Sequence, residues 1–466
     1  MNFYRQLDEK QKEAVNLVLK KKTVGIFAEP RTGKTWIAGS VIEEVDAKLT
    51  LLITLEVNKY TTWDEFLRKY LVDFEVFDDL EKFDKSSHTN KILLIHWEQI
   101  GNRNKKAKSL VGKLSRRKWG LIIADEIHRA KDESSVTSRA IAKLSDTGAE
   151  YKVGLTGTPW DDNYVQLFGQ FRFIKPDLLG DWSDFKDEFC RRGGWMKKKW
   201  LVKRHKKNVL IDKLSPYIFD YTQKEAGILP AILKPVYIKL LGEQRETYDQ
   251  LEQKLVLEFE DSELIADLPI VLLIKLHQIA QGFVREERML GDDEIEIIDH
   301  EVGRAKERVL VELMKKHKPP LVVFCRYRRD IDRVVELATS KLGFKRIGVL
   351  DARTKDTKRN RSRTDLINSF KAGELELLVC QVRTGGVGID LWAATACFVY
   401  SFWHSFIDFD QLLSRVLHRM RKESPVVYVL LAEDSVDIDV YESIQCKQSV
   451  KRAFWERVKR NSKRRK

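Results

Sequence analysis

The stretch AEPRTGKT, Ala28 to Thr35, constrains this chain more than any other part of it. It follows the apolar run Val24 to Phe27 and precedes the helix-like segment Trp36 to Val45, so a strand leads into a loop and the loop into a helix. In that order successive backbone N–H groups converge on one point, and the new helix adds the positive end of its dipole there. An anion is the expected occupant. Gly33 lets the backbone approach phosphate oxygens, Lys34 reaches toward the β and γ positions, and the Thr35 hydroxyl suits a Mg²⁺ ion. Arg31 and Thr32 line the same loop, and Ala28 stands where such loops usually carry their first glycine.

The flanking pattern supplies the fold class. Leu7, Gln11, Ala14, Val15 and Val18 fall at helical spacing before the first strand. After it, LTLLITLEV (Leu49 to Val57), KILLIHWEQI (Lys91 to Ile100), WGLIIADE (Trp119 to Glu126) and YKVGLTGTP (Tyr151 to Pro159) read as short apolar strands separated by crossover lengths. Strands this apolar belong in a parallel sheet covered on both faces, which is an α/β architecture. From about Trp160 to Val302 the segments become long, charged and mostly helical, with no second sheet evident. The α/β rhythm returns with PPLVVFCRY, RIGVLDA, ELLVCQ, ATACFVYSF and SPVVYVLLAE between Pro319 and Glu433.

The strand LIIADEIH ends in Asp125 and Glu126, so two carboxylates emerge at the carboxyl edge of the first sheet, where α/β proteins place ligands. Asp125 suits the Mg²⁺ held with Thr35. Glu126 is then placed to orient or deprotonate an attacking water.

Composition bounds the partners. Hydrophobic residues at 43% and charged residues at 33% describe a soluble globular chain, and no run approaches the roughly 18 apolar residues of a membrane span. The opening MNFYRQLDEK lacks signal-peptide features, so the expectation is cytoplasmic, in a bacterium or its host, with a nuclear location left open. Five cysteines, at 190, 325, 380, 397 and 446, show no CxxC or Cys/His spacing, so neither disulfides nor zinc are expected, only buried thiols. The net charge of +14 is concentrated: Arg191 to Lys207 holds nine Lys/Arg and no acid, and Lys451 to Lys466 holds nine against Glu456. Basic runs with interleaved tryptophans suit phosphate backbones; a solvated basic tail is the other reading of Lys451 to Lys466, and both stand.

Several motifs carry a resemblance. AEPRTGKT, DEIH at 125 to 128, LTGTP at 155 to 159, RTGGVGIDL at 383 to 391 and QLLSRVLHR at 411 to 419 resemble the ordered motifs of superfamily 2 helicases. LxxxQxxAV at Leu7 to Val15, Trp63 before an acidic helix, DWSDFKDEFC at Asp181 to Cys190 and LPAILKPVYIKL with a following QRETY are similar to the Snf2-like DNA translocases within them. The resemblance implies two RecA-like lobes with ATP and Mg²⁺ between them: residues 1–175 as lobe 1, 176–302 as a mostly helical insertion and linker, 303–450 as lobe 2, and 451–466 as a basic tail.

It also implies roles. Gln11 reads the adenine edge; Gly388 and Asp390 face the nucleotide; His128, Thr156 and Thr158 couple hydrolysis to lobe movement. Trp63, Arg383, Thr384, Gly385 and Trp403 contact DNA, although a core position for Trp403 beneath the following helix stands beside that reading. Gln411, Arg415 and Arg419 belong to the last motif, the two arginines four apart on one helical face as candidate arginine fingers. That motif departs from the family: the usual second arginine position holds His418, and the GQ that normally follows is missing.

The resulting expectation is an ATP-dependent motor on double-stranded or branched DNA. A strand-separating or branch-migrating helicase and a nucleotide-gated DNA clamp without turnover are the alternatives. No histone-reading, nuclease or methylase module fits the remaining length, which suggests a compact bacterial or viral motor.

Overall fold

The apolar runs become strands because each is long enough to cross a sheet and too apolar to leave either face in water. In the computed structural model the described residues are 3–160, 163–193, 199–260, 268–289, 295–351, 353–354, 362–382, 389–403 and 405–446. They form two units that meet in sequence at Ile228 and Leu229.

In the first unit the strands are β1 (Thr23–Ala28), β2 (Leu49–Thr54), β3 (Glu75–Phe77), β4 (Lys91–His96), β5 (Leu121–Asp125) and β6 (Tyr151–Thr156). A hairpin, β7 (Cys190–Gly193) with β8 (Lys199–Val202), precedes β9 (Ile218–Tyr221). The main sheet has the order β3-β4-β2-β5-β6-β1-β9, and every pairing is parallel. Alternation along the strands divides the core between the two faces: Phe27, Leu51, Ile53 and Ile122 pack on one side, and Val24, Ile26, Leu52 and Ile123 on the other. The helix Glu9–Lys21 covers the second face with Ala14, Val15 and Val18, as the helical spacing predicts.

The second unit holds β10 (Ile232–Ile238), the antiparallel pair β11 (Phe283–Met289) and β12 (Ile295–Glu301), and β13 (Leu321–Cys325), β14 (Ile347–Leu350), β15 (Leu377–Gln381), β16 (Ala396–Val399) and β17 (Val426–Ala432). Its main sheet, β10-β17-β16-β13-β15-β14, is also entirely parallel.

Two expectations change. The stretch from Trp160 to Val302 is not free of sheet, because it contributes β9 to the first sheet and β10 to the second, plus both hairpins. The residues expected as an insertion, 176–302, are accordingly divided between the two units at Ile228. The helices Glu243–Glu260 and Leu268–Ala280 do fall where the charged helical pattern puts them. Of the cysteines, four are buried, while Cys446 is exposed; burial pushes Cys380 and Cys397 up to about 12. Among the described residues no helix is long and apolar enough to cross a membrane.

Candidate active site

The strand order β5-β6-β1 decides what can meet. With neighbouring strands about 4.8 Å apart, the carboxyl ends of β5 and β1 lie about 10 Å from each other, with the end of β6 between them. Asp125 and Glu126 leave β5, Thr156 to Thr158 leave β6, and the phosphate loop leaves β1, so three separated motifs open on one edge.

The loop is braced from both sides. Gly33 caps the helix Lys34–Val45 with φ +89°, a conformation that suits glycine, and a Cβ there would lie 2.4 Å from the Gln11 side chain. Gln11 is buried; its Nε2 donates to the Thr32 carbonyl at 2.9 Å and its Oε1 accepts from Asp8 N–H at 3.0 Å. The Thr32 hydroxyl donates to the Glu29 carbonyl at 2.7 Å. From β9, the Tyr221 carbonyl accepts from Glu29 N–H at 2.8 Å, and the Gln223 N–H donates to the Glu29 carboxylate at 2.8 Å. Arg31 holds φ 70°, so the turn carries local backbone cost at the point where an anion would sit. Lys34 Nζ donates to the Ala28 carbonyl at 2.8 Å and lies 3.4 Å from that of Glu29. Thr35 is half-buried in the first turn of the helix.

The acids are anchored from within. Asp125 Oδ2 accepts from Thr54 Oγ1 at 2.8 Å and from Trp63 Nε1 at 2.9 Å, and its carbonyl accepts from Trp97 Nε1 at 2.7 Å. Burial and then the Glu126 charge push the Asp125 carboxyl up to about 6, against the two donors and Lys34. Glu126 takes φ 55° and lies 3.1 Å from His128 Nδ1. Burial opposes its ionisation, but His128, Lys34 and Arg129 together hold it below the usual carboxylate range. His128 Nδ1 also lies 3.0 Å from Thr156 Oγ1, which accepts from Thr158 N–H at 3.1 Å. Glu126, His128, Thr156 and Thr158 thus form one buried polar chain, and Gly157 between the threonines packs against Pro30 of the phosphate loop.

A divalent cation fits this donor set. Two adjacent buried carboxylates have no lysine or arginine at ion-pair distance among the described residues, and Asp125 Oδ1 takes no hydrogen bond there. Thr35 supplies a hydroxyl of the right type for the same ion.

Two expectations need correction. Trp63 is 1% exposed, and its indole N–H is spent on Asp125, so it offers no ring to a nucleic acid. Arg415 and Arg419 do not share a helical face, because the helix Phe406–Val416 ends between them. The Arg415 carbonyl, which would accept from residue 419 in a continuing helix, instead accepts from Leu391 N–H at 2.9 Å. Arg415 is 3% exposed and donates to the Val382 carbonyl at 3.2 Å, whereas Arg419 is exposed beyond the helix end. His418 stacks on Trp392 with ring centroids 5.0 Å apart.

Elsewhere in the second unit, Gln411 is half-buried on the same helix as Arg415. Asp390 Oδ2 lies 3.9 Å from Lys371 Nζ. Trp403 is half-buried, its ring edge-on to His277 at 4.9 Å with the Arg326 guanidinium 4.6 Å above it, and it lines a cavity of about 200 Å³ with Tyr327, Gln381 and Phe409. Arg383, Thr384, Gly385 and Gly388 lie outside the described residues, as do 194–198 of the first basic run and all of Lys451 to Lys466.

Sequence reasoning missed Thr54, Trp97, Tyr221 and Gln223, which carry no motif of their own. It also passed over a third basic run: residues 102–118 hold eight Lys/Arg and no acid, and the helix Lys105–Leu114 buries Ala107, Val111 and Leu114 while exposing Lys105, Lys106, Lys108 and Lys113. A charge count in short windows finds it.

A family model described as the SNF2-related domain matches residues 40–289, and one described as the helicase conserved C-terminal domain matches residues 305–420. The chain belongs to the SNF2-related family. An ATP-dependent helicase of Mycoplasma genitalium is 24% identical over 414 residues, covering 86% of this chain and 37% of that protein. The RAD54-like DNA repair and recombination protein of Drosophila pseudoobscura is 24% identical over 372 residues, 71% of this chain and 45% of that one. The Sulfolobus solfataricus SWI2/SNF2 ATPase core, solved in complex with dsDNA, aligns over 95% of this chain and 92% of its own at 20% identity, with a TM-score of 0.44. The chain spans about a third of the length of the first curated relatives it matches. The first parallel sheet lies within or just before the SNF2-related match, and the second falls mostly within the helicase C-terminal match.

Proposed function

We propose that this SNF2-related chain is a DNA-dependent ATPase that moves along or remodels double-stranded DNA. The observation that carries the reading is the single edge on which Lys34, Asp125, Glu126 and the His128–Thr156 link converge. The names of the relatives, a helicase and a DNA repair and recombination protein, agree with ATP use and a DNA partner.

In this reading Lys34 and the loop N–H groups bind the nucleotide phosphates, while Thr35 and Asp125 hold Mg²⁺. The ion, when bound, neutralises phosphate charge as the leaving group departs. Glu126, held ionised, orients a water and accepts its proton. His128 and Thr156 transmit the state of Glu126 to the segment after β6. The second unit contributes Arg415 or Arg419 as transition-state charge, with Asp390, Gly388 and Gln411 on the nucleotide side and Arg383, Thr384, Gly385 and Trp403 on the DNA side. The three basic runs add phosphate contacts, each contributing about 0.9 to the magnitude of the salt slope of duplex binding.

The test is the ATPase rate with duplex, single-stranded, forked and four-way-junction DNA and with RNA, compared across salt. Duplex should stimulate most. Triplex displacement without fork unwinding identifies a translocase, and fork unwinding identifies a strand-separating helicase. Duplex binding gated by ATP with no turnover identifies a clamp. Equal or greater stimulation by RNA overturns the DNA assignment.

A further inference from the structure

Asp125 sits at the end of β5, and each donor that holds it comes from a different neighbour. Thr54 is the last residue of β2, and Trp97 follows the last residue of β4. Trp63 closes the turn Lys59–Trp63, whose hydrogen bonds run from i to i+5 rather than i to i+4. Such a turn widens the helix by one residue and re-aims the side chain at its end, and turns of this kind recur at functional sites. Here the indole is aimed inward, edge-on to Phe66 at 6.3 Å, with its N–H on the carboxylate.

The distribution of these bonds over the two carboxylate oxygens is uneven. Thr54 at 2.8 Å and Trp63 at 2.9 Å both donate to Oδ2, while Oδ1 takes no hydrogen bond among the described residues. Asp437 in the second unit is bonded differently: Oδ1 accepts from Gln281 Nε2 at 3.2 Å, and Oδ2 from Lys306 Nζ at 2.6 Å and Ala432 N–H at 3.0 Å. Two donors on one oxygen fix the rotation of the Asp125 carboxylate and reserve the other oxygen.

We propose that Thr54 and Trp63 are positioning residues for the divalent cation, holding Asp125 by Oδ2 so that Oδ1 alone is presented to the metal–nucleotide complex. The inference rests on the ATP–Mg²⁺ reading above and adds the two residues that set the geometry of the ligand. Outer partners of this type typically alter metal affinity by about 10- to 100-fold when removed.

The experiment uses the full chain with Trp63→Phe, which keeps an aromatic ring and removes the N–H, and Thr54→Val, which keeps the shape and removes the O–H. Mn²⁺ binding in the presence of a non-hydrolysable ATP analogue is read by electron paramagnetic resonance. Binding of a fluorescent nucleotide in EDTA and thermal unfolding without metal are measured alongside. Each variant should weaken Mn²⁺ binding by about tenfold or more, leave metal-free nucleotide binding within twofold, and Thr54→Ser should restore wild-type affinity. Unchanged Mn²⁺ affinity in the variants, with lowered melting temperatures, means the bonds only hold the core together and overturns the inference. Should Trp63→Phe fail to fold, the Thr54→Val and Thr54→Ser pair decides the matter alone. A wild-type chain that binds no Mn²⁺ with the analogue overturns the ATP reading itself, an outcome distinct from variants that match a wild type that does bind.

Discussion

Both parallel sheets bury acids just past the carboxyl ends of their strands, and the two units settle those charges in opposite ways. In the second unit Asp437 is paired internally, and Asp330 is bonded on one oxygen only, its buried Oδ1 taking no hydrogen bond among the described residues. Asp437 meets the buried Lys306 at 2.6 Å, and that ammonium also donates to Gln281 at 2.8 Å and to the Leu430 carbonyl at 3.1 Å. Asp330 accepts from the Ser401 hydroxyl, and burial pushes its carboxyl up to about 7. In the first unit Asp125 and Glu126 are neighbours in sequence, so each raises the cost of ionising the other, and no lysine or arginine among the described residues pairs with them. Burial at a strand end therefore does not by itself mark a site. Two adjacent carboxylates with no lysine or arginine at ion-pair distance among the described residues are the stronger mark, because a divalent cation would offset the repulsion that raises Asp125.

The largest effect that tests this contrast is chemical. Glu126→Gln should retain ATP and DNA binding and lose turnover, because it removes the water-directing carboxylate and leaves the phosphate loop intact; Lys34→Ala should instead weaken nucleotide binding. Glu126→Gln keeps the size and shape of a buried side chain, so it should unfold within a few degrees of the wild type. Near-normal hydrolysis by Glu126→Gln would erase the difference between the two sets of acids.

The first unit was far more legible in the sequence than the second, for physical reasons. The loop and the acid pair are local, and β1 and β5 announce themselves by apolar runs buried on both faces. What escaped depends on the third dimension. β10 is an edge strand, half exposed, and carries Lys234 and Pro235, which an edge tolerates and a central strand does not. β9 is four residues long and includes Asp220, too short and too polar for a pattern, yet it braces the phosphate loop. The motif at Trp63 was visible, but the direction of its ring depends on the wide turn before it, which leaves no periodic trace. The end of the helix at Val416 has no glycine or proline to signal it; a hydrogen bond from Leu391, more than twenty residues upstream, takes the carbonyl that continuation needs.

That helix end separates two arginines that the sequence treats alike, and the separation yields the next prediction. Arg419→Ala should lower kcat by about 10³-fold if this exposed side chain supplies the transition-state charge. Arg415→Ala should lower the stability of the second unit as well, because its buried guanidinium donates to the Val382 carbonyl and lies 5.9 Å from the centroid of the Phe324 ring. His418→Ala, which removes the stack on Trp392 and the acceptor for the Met420 N–H, should cost less activity than either. A steady-state ATPase assay paired with a melting curve for each variant separates loss of charge from loss of fold. If His418 proves the most sensitive of the three, the register of the last motif is displaced by one residue.

The smallest predicted effect concerns Asp330 and asks whether the second unit really disposes of its acids internally. Its carboxyl is raised from the ordinary 3.8 to about 7, first by burial, so between those values the folded chain keeps a proton that the unfolded chain has released. Stability contributed by this group is therefore complete below about pH 4 and falls as pH rises toward 7. Asp330→Asn has no proton to lose and keeps an acceptor for Ser401. The variant and the wild type should unfold at similar denaturant concentrations at pH 4, and the variant should gain progressively to the order of 2–4 kcal/mol at pH 8. His277, pushed down to about 3 by burial, has the opposite slope, losing stability as pH falls from 6.5, but it is present in both proteins and cancels in the difference. A difference that stays flat from pH 4 to 8 would mean that Asp330 is ionised in the folded state and held by Lys306. The second unit would then bury two carboxylates on one ammonium, which is the kind of uncompensated charge that distinguishes the first.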